Sequence, residues 1–377
     1  MKFLIAGDYA PCGRVAKKVH QCKFDEVFPK ELLDVIKSSD FSFVNFESPV
    51  IEDGYKPIPK CGPNLSCYPG AVEALKYAGF TGVTMANNHI MDYGIDGLKK
   101  SVECCRNQGL DVVGVGQNLK EATNILYLEN CGSRIAVINC CEHEFNIATD
   151  TSAGANPLNP IAQYYTIKEA KKCSDYVLII IHGGHEHYRY PSLRMQEIYR
   201  FFIDSGADAV VNHHQHCYSG YEVYNGKPIF YGLGNFCFDL DSIKVDSKWY
   251  YGYMVEIEFD AEVRFKIYPY KQCSELEKVE LLPLDSFKDE ISSMNAIIND
   301  ECLLRKVSEE YYMSSHEDMR NFMEPIPCRW ILAAQRRHLL PSFILKKWLI
   351  KMYNVIFCEA HRDKLLSYMN YRIFKDR

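Results

Sequence analysis

Two histidines separated by one residue stand out within residues 212–216, a polar segment that closely follows a strand-like apolar run at 207–211. His214 and His216 lie two positions apart. Side chains with this spacing at a strand end face the same way, so both imidazoles can share the binding of a metal from one short turn. The segment therefore predicts a metal-binding turn.

Four other apolar runs are followed by polar residues in the same manner. A single histidine after such a run would usually be a buried core residue. Five repeats instead predict one shared site, because the carboxyl ends of strands in open α/β sheets are where ligands gather. The four runs and the residues that follow them are 3–6 with Asp8, 41–44 with Asn45 and Glu47, 82–85 with Asn87, Asn88 and His89, and 176–181 with His182.

These residues form a set of oxygen and imidazole donors suited to one or two divalent ions of Mn, Fe or Zn. The set lacks cysteine, so it does not resemble a structural zinc site. A carboxylate near the middle can bridge two cations, an arrangement typical of metal-assisted hydrolysis. His89, next to Asn88, is placed to protonate a leaving oxygen. The predicted metal ligands are Asp8, Glu47, Asn88, His182, His214 and His216.

The elements that must position these residues follow from the hydrophobic pattern. Up to about residue 215, short β-branched runs alternate with amphipathic segments, as in βαβ units. After residue 220, the pattern changes to hairpins, at 220–231 and at 253–269. We therefore predict an α/β fold, a two-sheet αββα sandwich over residues 1–284. Only helical patterns occur from about 285 onward, so residues 285–377 are predicted to form a helical C-terminal region.

Composition narrows the class of protein. The chain has 377 residues, of which 47% are hydrophobic, enough for a large core. Its 16 cysteines are scattered without a Cys-x-x-Cys motif, which favours a reducing cytoplasm. The apolar stretch after Met1-Lys2 is too short for a signal peptide, and no run approaches the ~20 apolar residues of a membrane span. A cytoplasmic protein is therefore expected.

Charge is distributed unevenly along the chain. Residues 326–377 carry a balance of +8 within a total of −6, which leaves the body acidic and argues against nucleic acid as a partner. Within 343–357, apolar residues recur at helical spacing between Lys346, Lys347 and Lys351. Such a helix either packs on the body of the protein, which is the commoner case, or binds an anionic membrane surface or a protein partner.

Six short motifs in order make the chain resemble a known family, the bacterial capsule-synthesis proteins of the CapA (poly-γ-glutamate synthesis) type, within the calcineurin-like metallophosphoesterase superfamily. The resemblance covers roughly residues 1–240. The motifs are Gly7-Asp8, Asn45-Phe46-Glu47-Ser48-Pro49, Ala86-Asn87-Asn88-His89 with Asp92-Tyr93-Gly94, His182-Gly183-Gly184-His185-Glu186, Asn212-His213-His214-Gln215-His216, and Tyr231-Gly232-Leu233-Gly234-Asn235-Phe236.

The resemblance implies a role for each residue of the site. Asp8 and His216 would bind a first metal and Glu47 would bridge to a second. Asn88, His182 and His214 would complete the second site. His89 would be the general acid, oriented by Asp92.

Two further residues are assigned to substrate binding. Glu186 lies beside His182 in the motif, although a solvated loop is an equal alternative. Asn235 follows a Gly-x-Gly turn, where it could instead support the metal ligands or simply form the turn.

The chain also departs from the family pattern. The superfamily's Asp-x-His has Ala10 at its third position here, so the first metal site lacks one imidazole. The usual His-Trp-Gly is His182-Gly183-Gly184. These changes affect the loops around the ligands, so the substrate pocket is less well defined than the metal site.

The expected function is that of a metal-dependent hydrolase, a phosphoesterase, in capsule or exopolysaccharide biosynthesis. Its substrate would be an anionic small molecule or polymer. One alternative is a non-catalytic metal-binding component of polymer synthesis or export. A second alternative is a hydrolase of γ-glutamyl amides, which would share the metal chemistry.

Overall fold

The computed structural model describes residues 1–240, 247–316 and 346–374, and it contains two stacked β-sheets flanked by helices. Its strands are β1 (Lys2–Ala10), β2 (Phe41–Phe46), β3 (Gly82–Thr84), β4 (Asp111–Val113), β5 (Val115–Gly116), β6 (Leu126–Asn130), β7 (Ser133–Cys141), β8 (Gly154–Ala155), β9 (Tyr176–His182), β10 (Ala209–His213), β11 (Tyr221–Tyr224), β12 (Lys227–Phe230), β13 (Asn235–Phe238), β14 (Tyr251–Glu258), β15 (Arg264–Gln272) and β16 (Val279–Leu281).

The helices lie between and after these strands, together with 3₁₀ turns at Ser247–Tyr250 and Leu284–Phe287. They are α1 (Gly13–His20), α2 (Phe24–Val27), α3 (Lys30–Ile36), α4 (Gly70–Ala78), α5 (Gly94–Asn107), α6 (Leu119–Ala122), α7 (Pro160–Cys173), α8 (Leu193–Ser205), α9 (Lys288–Ile298), α10 (Glu301–Ser314), α11 (Lys346–Phe357) and α12 (Glu359–Phe374).

The first sheet is built around β1. Its strand order is β16-β15-β14-β1-β2-β3-β4, and β13 pairs with the end of β1. β1 runs parallel to β2 and β13, and the register sets Asp8 opposite Asn45 on one side and Asn235 on the other. Strand pairing alone therefore brings three residues from distant parts of the sequence together.

The second sheet has the order β11-β12-β10-β9-β7-β6. Its central strands β7, β9 and β10 are parallel, and His213 at the end of β10 is in register with His182 at the end of β9. The histidine-bearing ends of these two strands are therefore neighbours.

The main core lies between the two sheets. Phe3 and Ile5 of β1 belong to this core, whereas Leu4 and Ala6 pack on the opposite face against helices, as the two-residue period of a strand requires. On the second sheet, Ile179 faces outward and packs against α7 and α8. The layers are thus helix, sheet, sheet and helix, which confirms the predicted sandwich.

The chain over residues 111–116 forms two short strands instead of one continuous strand. β4 ends at Val113, and β5 starts at Val115 and pairs with β8 instead. Gly114 between them has φ of +95°, and a Cβ at this position would lie 2.0 Å from Asn139 Oδ1. Only glycine can make this left-handed turn so close to a neighbouring strand.

The described C-terminal segments are helical, as predicted. Ile291 and Met294 of α9 join the core between the sheets, and residues of α11 and α12 contact the loop after β7. Residues 317–345 lie outside the described ranges, including the first three positions of the predicted 343–357 helix. The boundary at residue 284 stays a prediction. None of the described helices is long and apolar enough to cross a membrane.

The expected basic helix can be compared with α11. Lys346, Lys347 and Lys351 are exposed, as expected, and Val355 is buried. Leu349 and Ile356, two of the apolar residues at helical spacing, are exposed. Only part of the apolar stripe therefore faces the body within the described residues.

Candidate metal centre

Asp8 lies near the carboxyl end of β1, in the middle of the first sheet, with its side chain fully buried. Asn45 Nδ2 donates to its Oδ1 at 2.8 Å, and the backbone N–H of His214 donates to its Oδ2 at 3.2 Å. Burial raises the pKa of Asp8, but the His213 ring beside it, together with His216, outweighs that effect and lowers the pKa below its ordinary value. Asp8 is therefore held as a carboxylate.

Glu47 presents a different environment. Its side chain is 0% exposed, and neither carboxylate oxygen has a hydrogen-bond partner among the described residues. Burial and the neighbouring Asp8 raise the pKa of Glu47 well above its ordinary value. Buried polar groups without partners cost free energy, and a cation between the two carboxylates would remove that cost. This orphaned carboxylate is the structural evidence that the site fits a metal.

The remaining donors surround Glu47. Its Oε1 lies 3.5 Å from His182 Nε2 and 3.8 Å from His216 Nε2. His182 Nε2 is also 2.9 Å from Asn88 Oδ1 and 3.0 Å from His214 Nδ1. The six predicted ligands are therefore gathered around one point, although their role as ligands stays a prediction.

The donors form two groups that share Glu47. Its partners are Asp8 and His216 in one group and His182 and His214 in the other, with donor atoms within 4.8 Å of one another in each group. This is the division that the family resemblance implies for two metals. We call the six residues the Glu47 centre: Asp8, Glu47, Asn88, His182, His214 and His216.

Two of the histidines are electrostatically suited to metal binding. Burial lowers the pKa of His182 well below its ordinary value and that of His216 to about 4. Both rings are therefore neutral near pH 7, the form in which imidazole binds a cation.

The turn after β10 shapes the centre through its backbone. β10 ends at His213, so His214 and His216 lie beyond the strand, with φ of 90° and 53°. Left-handed backbone is uncommon for residues other than glycine and concentrates at functional sites. The two rings therefore converge because of a strained turn rather than because of strand pleating.

Asn235 has a position different from the substrate contact expected. It is fully buried, its Oδ1 lies 2.9 Å from His216 Nδ1, and its Nδ2 donates to the backbone oxygens of His216 and Trp249. An oxygen on Nδ1 fixes the ring so that Nε2 faces Glu47. Asn235 thus orients His216, a predicted ligand, which is the support role that the turn motif left open.

His89 and Asp92 lie together beside the centre. His89 Nδ1 is 2.7 Å from Asp92 Oδ2, and the backbone N–H of Leu65 donates to the same oxygen at 2.6 Å. The Asp92 side chain is 0% exposed. This contact occupies Nδ1 of His89 and leaves Nε2 as the nitrogen that the predicted acid would use; the catalytic role stays a prediction.

Sequence reasoning missed Lys60, which joins this pair. Its side chain is only 3% exposed, its Nζ forms an ion pair with Asp92, and the same atom lies 3.1 Å from His89 Nδ1. Lys60 lies in a polar loop rich in proline and glycine, where a lysine is normally solvated. No local signal in the sequence distinguishes it from Lys56 in the same loop.

Glu186 lies at the solvent side of the centre. Its side chain is exposed, and its carboxylate groups with His214 and His216. Desolvation by neighbouring atoms raises the pKa of Glu186, but the imidazoles of His214 and His216 outweigh this and lower it to about 2. An exposed carboxylate at this place is accessible to a substrate, and the substrate-binding role stays a prediction.

Comparison with known protein families identifies a family that matches this chain. The model of the family described as bacterial capsule synthesis protein PGA_cap matches residues 2–240. That range contains all six residues of the Glu47 centre, as well as His89 and Asp92.

Individual relatives give the same result. The chain is 35% identical over 243 residues to the capsule biosynthesis protein CapA of Bacillus anthracis, covering 62% of this chain and 59% of that protein. It is 36% identical over 231 residues to the PGA biosynthesis protein CapA of Bacillus subtilis strain 168, covering 60% of each. The chain thus spans about three fifths of the length of these relatives.

Among solved structures, the chain is similar to a hypothetical protein from Thermus thermophilus. The two are 16% identical with a TM-score of 0.47, over 75% of this chain and 100% of the other.

Proposed function

The chain belongs to the bacterial capsule synthesis family PGA_cap, and from that premise we propose that it is a metal-dependent hydrolase, a phosphoesterase, that acts in capsule or poly-γ-glutamate-like polymer biosynthesis. The observation that carries the proposal is the Glu47 carboxylate, which is buried without a hydrogen-bond partner among the described residues and shared by two groups of donors. In a purely structural core, a buried carboxylate without a partner would only destabilise the fold.

The residues that would hold the cations are those of the Glu47 centre. Asp8 and His216 would hold one cation, His182, His214 and Asn88 would hold the other, and Glu47 would contribute to both. When bound, divalent ions of Mn, Fe or Zn activate water and neutralise negative charge that develops on a phosphoryl group. The carboxylates of Asp8 and Glu47 would supply the negative charge that retains these ions.

His89 supplies the proton in this proposal. Water adds to phosphorus and releases a proton, the phosphorus–oxygen bond to the leaving group breaks, and Nε2 of His89 donates its proton to the departing oxygen. Asp92 holds the ring by its Nδ1, and Lys60 balances the negative charge of Asp92. An acid fixed at one nitrogen in this way is already oriented before the substrate arrives. This arrangement favours an enzyme over a metal-binding assembly component, because a structural metal site needs no proton donor.

The substrate is expected to be anionic. Cations at the Glu47 centre would attract phosphate oxygens, while Glu186 at the solvent side would repel a second negative charge placed next to it. Phosphomonoesters, phosphodiesters and γ-glutamyl peptides are therefore the compounds to compare.

The test uses purified full-length protein, stripped of metal with a chelator and reloaded separately with Mn²⁺, Fe²⁺ or Zn²⁺. We expect hydrolysis of at least one phosphoester class to disappear on stripping and to return with one of these ions. If only γ-glutamyl peptides were hydrolysed, the protein would be an amide hydrolase and not a phosphoesterase. Protein fully loaded with metal but inactive on all three classes would contradict the enzyme proposal and favour the assembly component.

A further inference from the structure

A second cluster of metal-binding side chains lies outside the Glu47 centre. We infer that Glu144, Cys358 and His361, named here the Cys358 cluster, form a separate site for a transition-metal cation, best suited to Zn²⁺. One donor atom from each of the three residues lies within 4.8 Å of the other two. The inference does not depend on whether the protein is a hydrolase.

The local fold brings the three side chains together. Cys358 lies between α11 and α12, and its carbonyl oxygen accepts a hydrogen bond from the Arg362 N–H in the first turn of α12. His361, three residues after Cys358, is therefore on the same side of the helix start. Glu144 comes from the loop after β7. The cluster thus joins the two-sheet body to the last two helices.

Asn354 gives independent evidence that the Cys358 cluster can hold a cation. Its side chain is 5% exposed, its Nδ2 lies 3.2 Å from Glu144 Oε1 and 2.9 Å from His361 Nδ1, and its Oδ1 has no hydrogen-bond partner in the described part of the chain. A rotation of the amide by 180° exchanges its oxygen and nitrogen. The rotated amide would direct its oxygen between Glu144 and His361, where it could serve as a fourth donor to a cation.

The chemistry of the donors selects the ion. A cysteine thiolate and a glutamate carboxylate carry two negative charges, which a divalent cation balances, and imidazole binds in its neutral form. Sulfur, nitrogen and oxygen donors in a set of three or four are typical of Zn²⁺. Glu144 and His361 are only partly buried, so the cluster is open to an ion from solvent. The thiolate also distinguishes this cluster from the Glu47 centre, whose six donors include no sulfur.

A cation at this position would act on the neighbouring centre. Glu144 Oε2 accepts a hydrogen bond of 3.3 Å from Nδ2 of Asn88, whose Oδ1 lies 2.9 Å from His182 Nε2. Fixing Glu144 would therefore fix the amide of Asn88. The proposed site would hold the C-terminal helices in place and limit the motion of one donor of the Glu47 centre.

The contact between the C-terminal helices and the rest of the protein does not depend on the cation alone. His143 Nδ1 pairs with Glu359 Oε1 at 2.7 Å, and Arg194 bridges Glu142 and Asp363 at 2.8 and 2.9 Å. These ion pairs join the same loop and helix, so variants of the Cys358 cluster are expected to keep their fold. That expectation makes the cluster testable by substitution.

The experiment loads metal-free full-length protein with Co²⁺ and records the near-ultraviolet charge-transfer band that arises only when a thiolate binds the ion. We expect wild type to show the band and Cys358→Ser to lack it. Cys302→Ser, which changes an exposed cysteine on α10, should keep it. His214→Asn should also keep it while losing ions from the Glu47 centre, so failure of the proposed function and failure of this inference are distinguishable.

A second variant, Glu144→Gln, tests the cluster even if Cys358→Ser fails to fold. Glu144→Gln keeps the shape of the side chain and leaves the thiol in place, and it should weaken Zn²⁺ binding at this cluster by more than ~10-fold, the smallest usual cost of disturbing even an indirect metal contact. Wild type without the thiolate band, a band that survives Cys358→Ser, or unchanged Zn²⁺ affinity in folded Glu144→Gln would each overturn the inference.

Discussion

The Glu47 centre takes its donors from the ends of five strands in two sheets, whereas the Cys358 cluster takes its donors from one loop and the start of one helix. Every donor of the Glu47 centre is buried. Two of the three donors in the Cys358 cluster are only partly buried. Strand register and the turn after β10 fix the first arrangement, and packing between segments more than 200 residues apart fixes the second. The Glu47 centre is therefore expected to carry out chemistry that needs exact positions. The Cys358 cluster is expected to attach the C-terminal helices in a less rigid way.

The largest effect should come from the carboxylate shared by both groups of the Glu47 centre. Glu47→Gln removes the charge that both cations would share, so metal content at this centre should fall and phosphoester hydrolysis should drop by ~10³-fold or more, the worth of several kcal/mol of charge stabilisation. Elemental analysis and steady-state kinetics measure the two effects. The thiolate band of the Cys358 cluster should persist.

A matched control is Glu256→Gln, which changes another buried glutamate, on β14. It should leave both metal content and hydrolysis near the wild-type values. If Glu47→Gln kept its full metal content, Glu47 would not be the shared metal ligand, and the contrast drawn between the two clusters would fail.

The acid beside the Glu47 centre should matter less than the metals themselves. His89→Asn should leave metal content unchanged and slow hydrolysis by ~10²–10⁴-fold, the usual contribution of positioned proton transfer. The loss should be smaller for nitrophenyl phosphates than for alkyl phosphates, because a nitrophenolate leaves without protonation. Kinetics on the paired substrates measure this difference. Loss of metal from this variant would show that His89 is a ligand instead.

Lys60 should have a smaller effect than His89, because it acts only through its contacts with Asp92 and His89. Lys60→Met should slow hydrolysis of alkyl phosphates by about tenfold, which corresponds to ~1.4 kcal/mol, with metal content unchanged. Lys56→Met is the matched control, since that lysine is exposed in the same loop. Equal rates for the two variants would show that the buried ion pair has no part in the reaction.

The smallest effect on activity is expected at the contact between the body and the C-terminal helices. Arg194→Met breaks the bridge from Glu142 to Asp363, and hydrogen bonds to charged groups of this kind contribute about 2 kcal/mol. Urea unfolding should show a loss of that size, and hydrolysis should change by less than ~3-fold. Arg264→Met, at an exposed ion pair on β15, should alter stability by less than ~0.5 kcal/mol. A loss of hydrolysis well beyond ~3-fold in folded protein would mean that the contact with the C-terminal helices positions the Glu47 centre.

The contrast between the clusters also explains what could be predicted from the sequence. Asp8, Glu47 and His182 each follow an apolar run, so local pattern and strand topology were enough to bring them together. The role of Asn235 required the register of β13 against β1, which the pattern does not give. Lys60 and the partners of Glu144 are set by contacts between loops and helices distant in sequence. No periodicity encodes such contacts, so they become visible only in three dimensions.

The most direct test of the Glu47 centre is an anomalous difference map from crystals of the full-length protein grown with Mn²⁺ or Zn²⁺. At least one cation is expected in contact with a Glu47 oxygen and with a nitrogen of His182, His214 or His216. For zinc, the ligand distances should be ~2.0–2.2 Å. Cations found elsewhere in the molecule, with none bound to Glu47, would contradict the assignment of this carboxylate as the shared ligand of a metal centre.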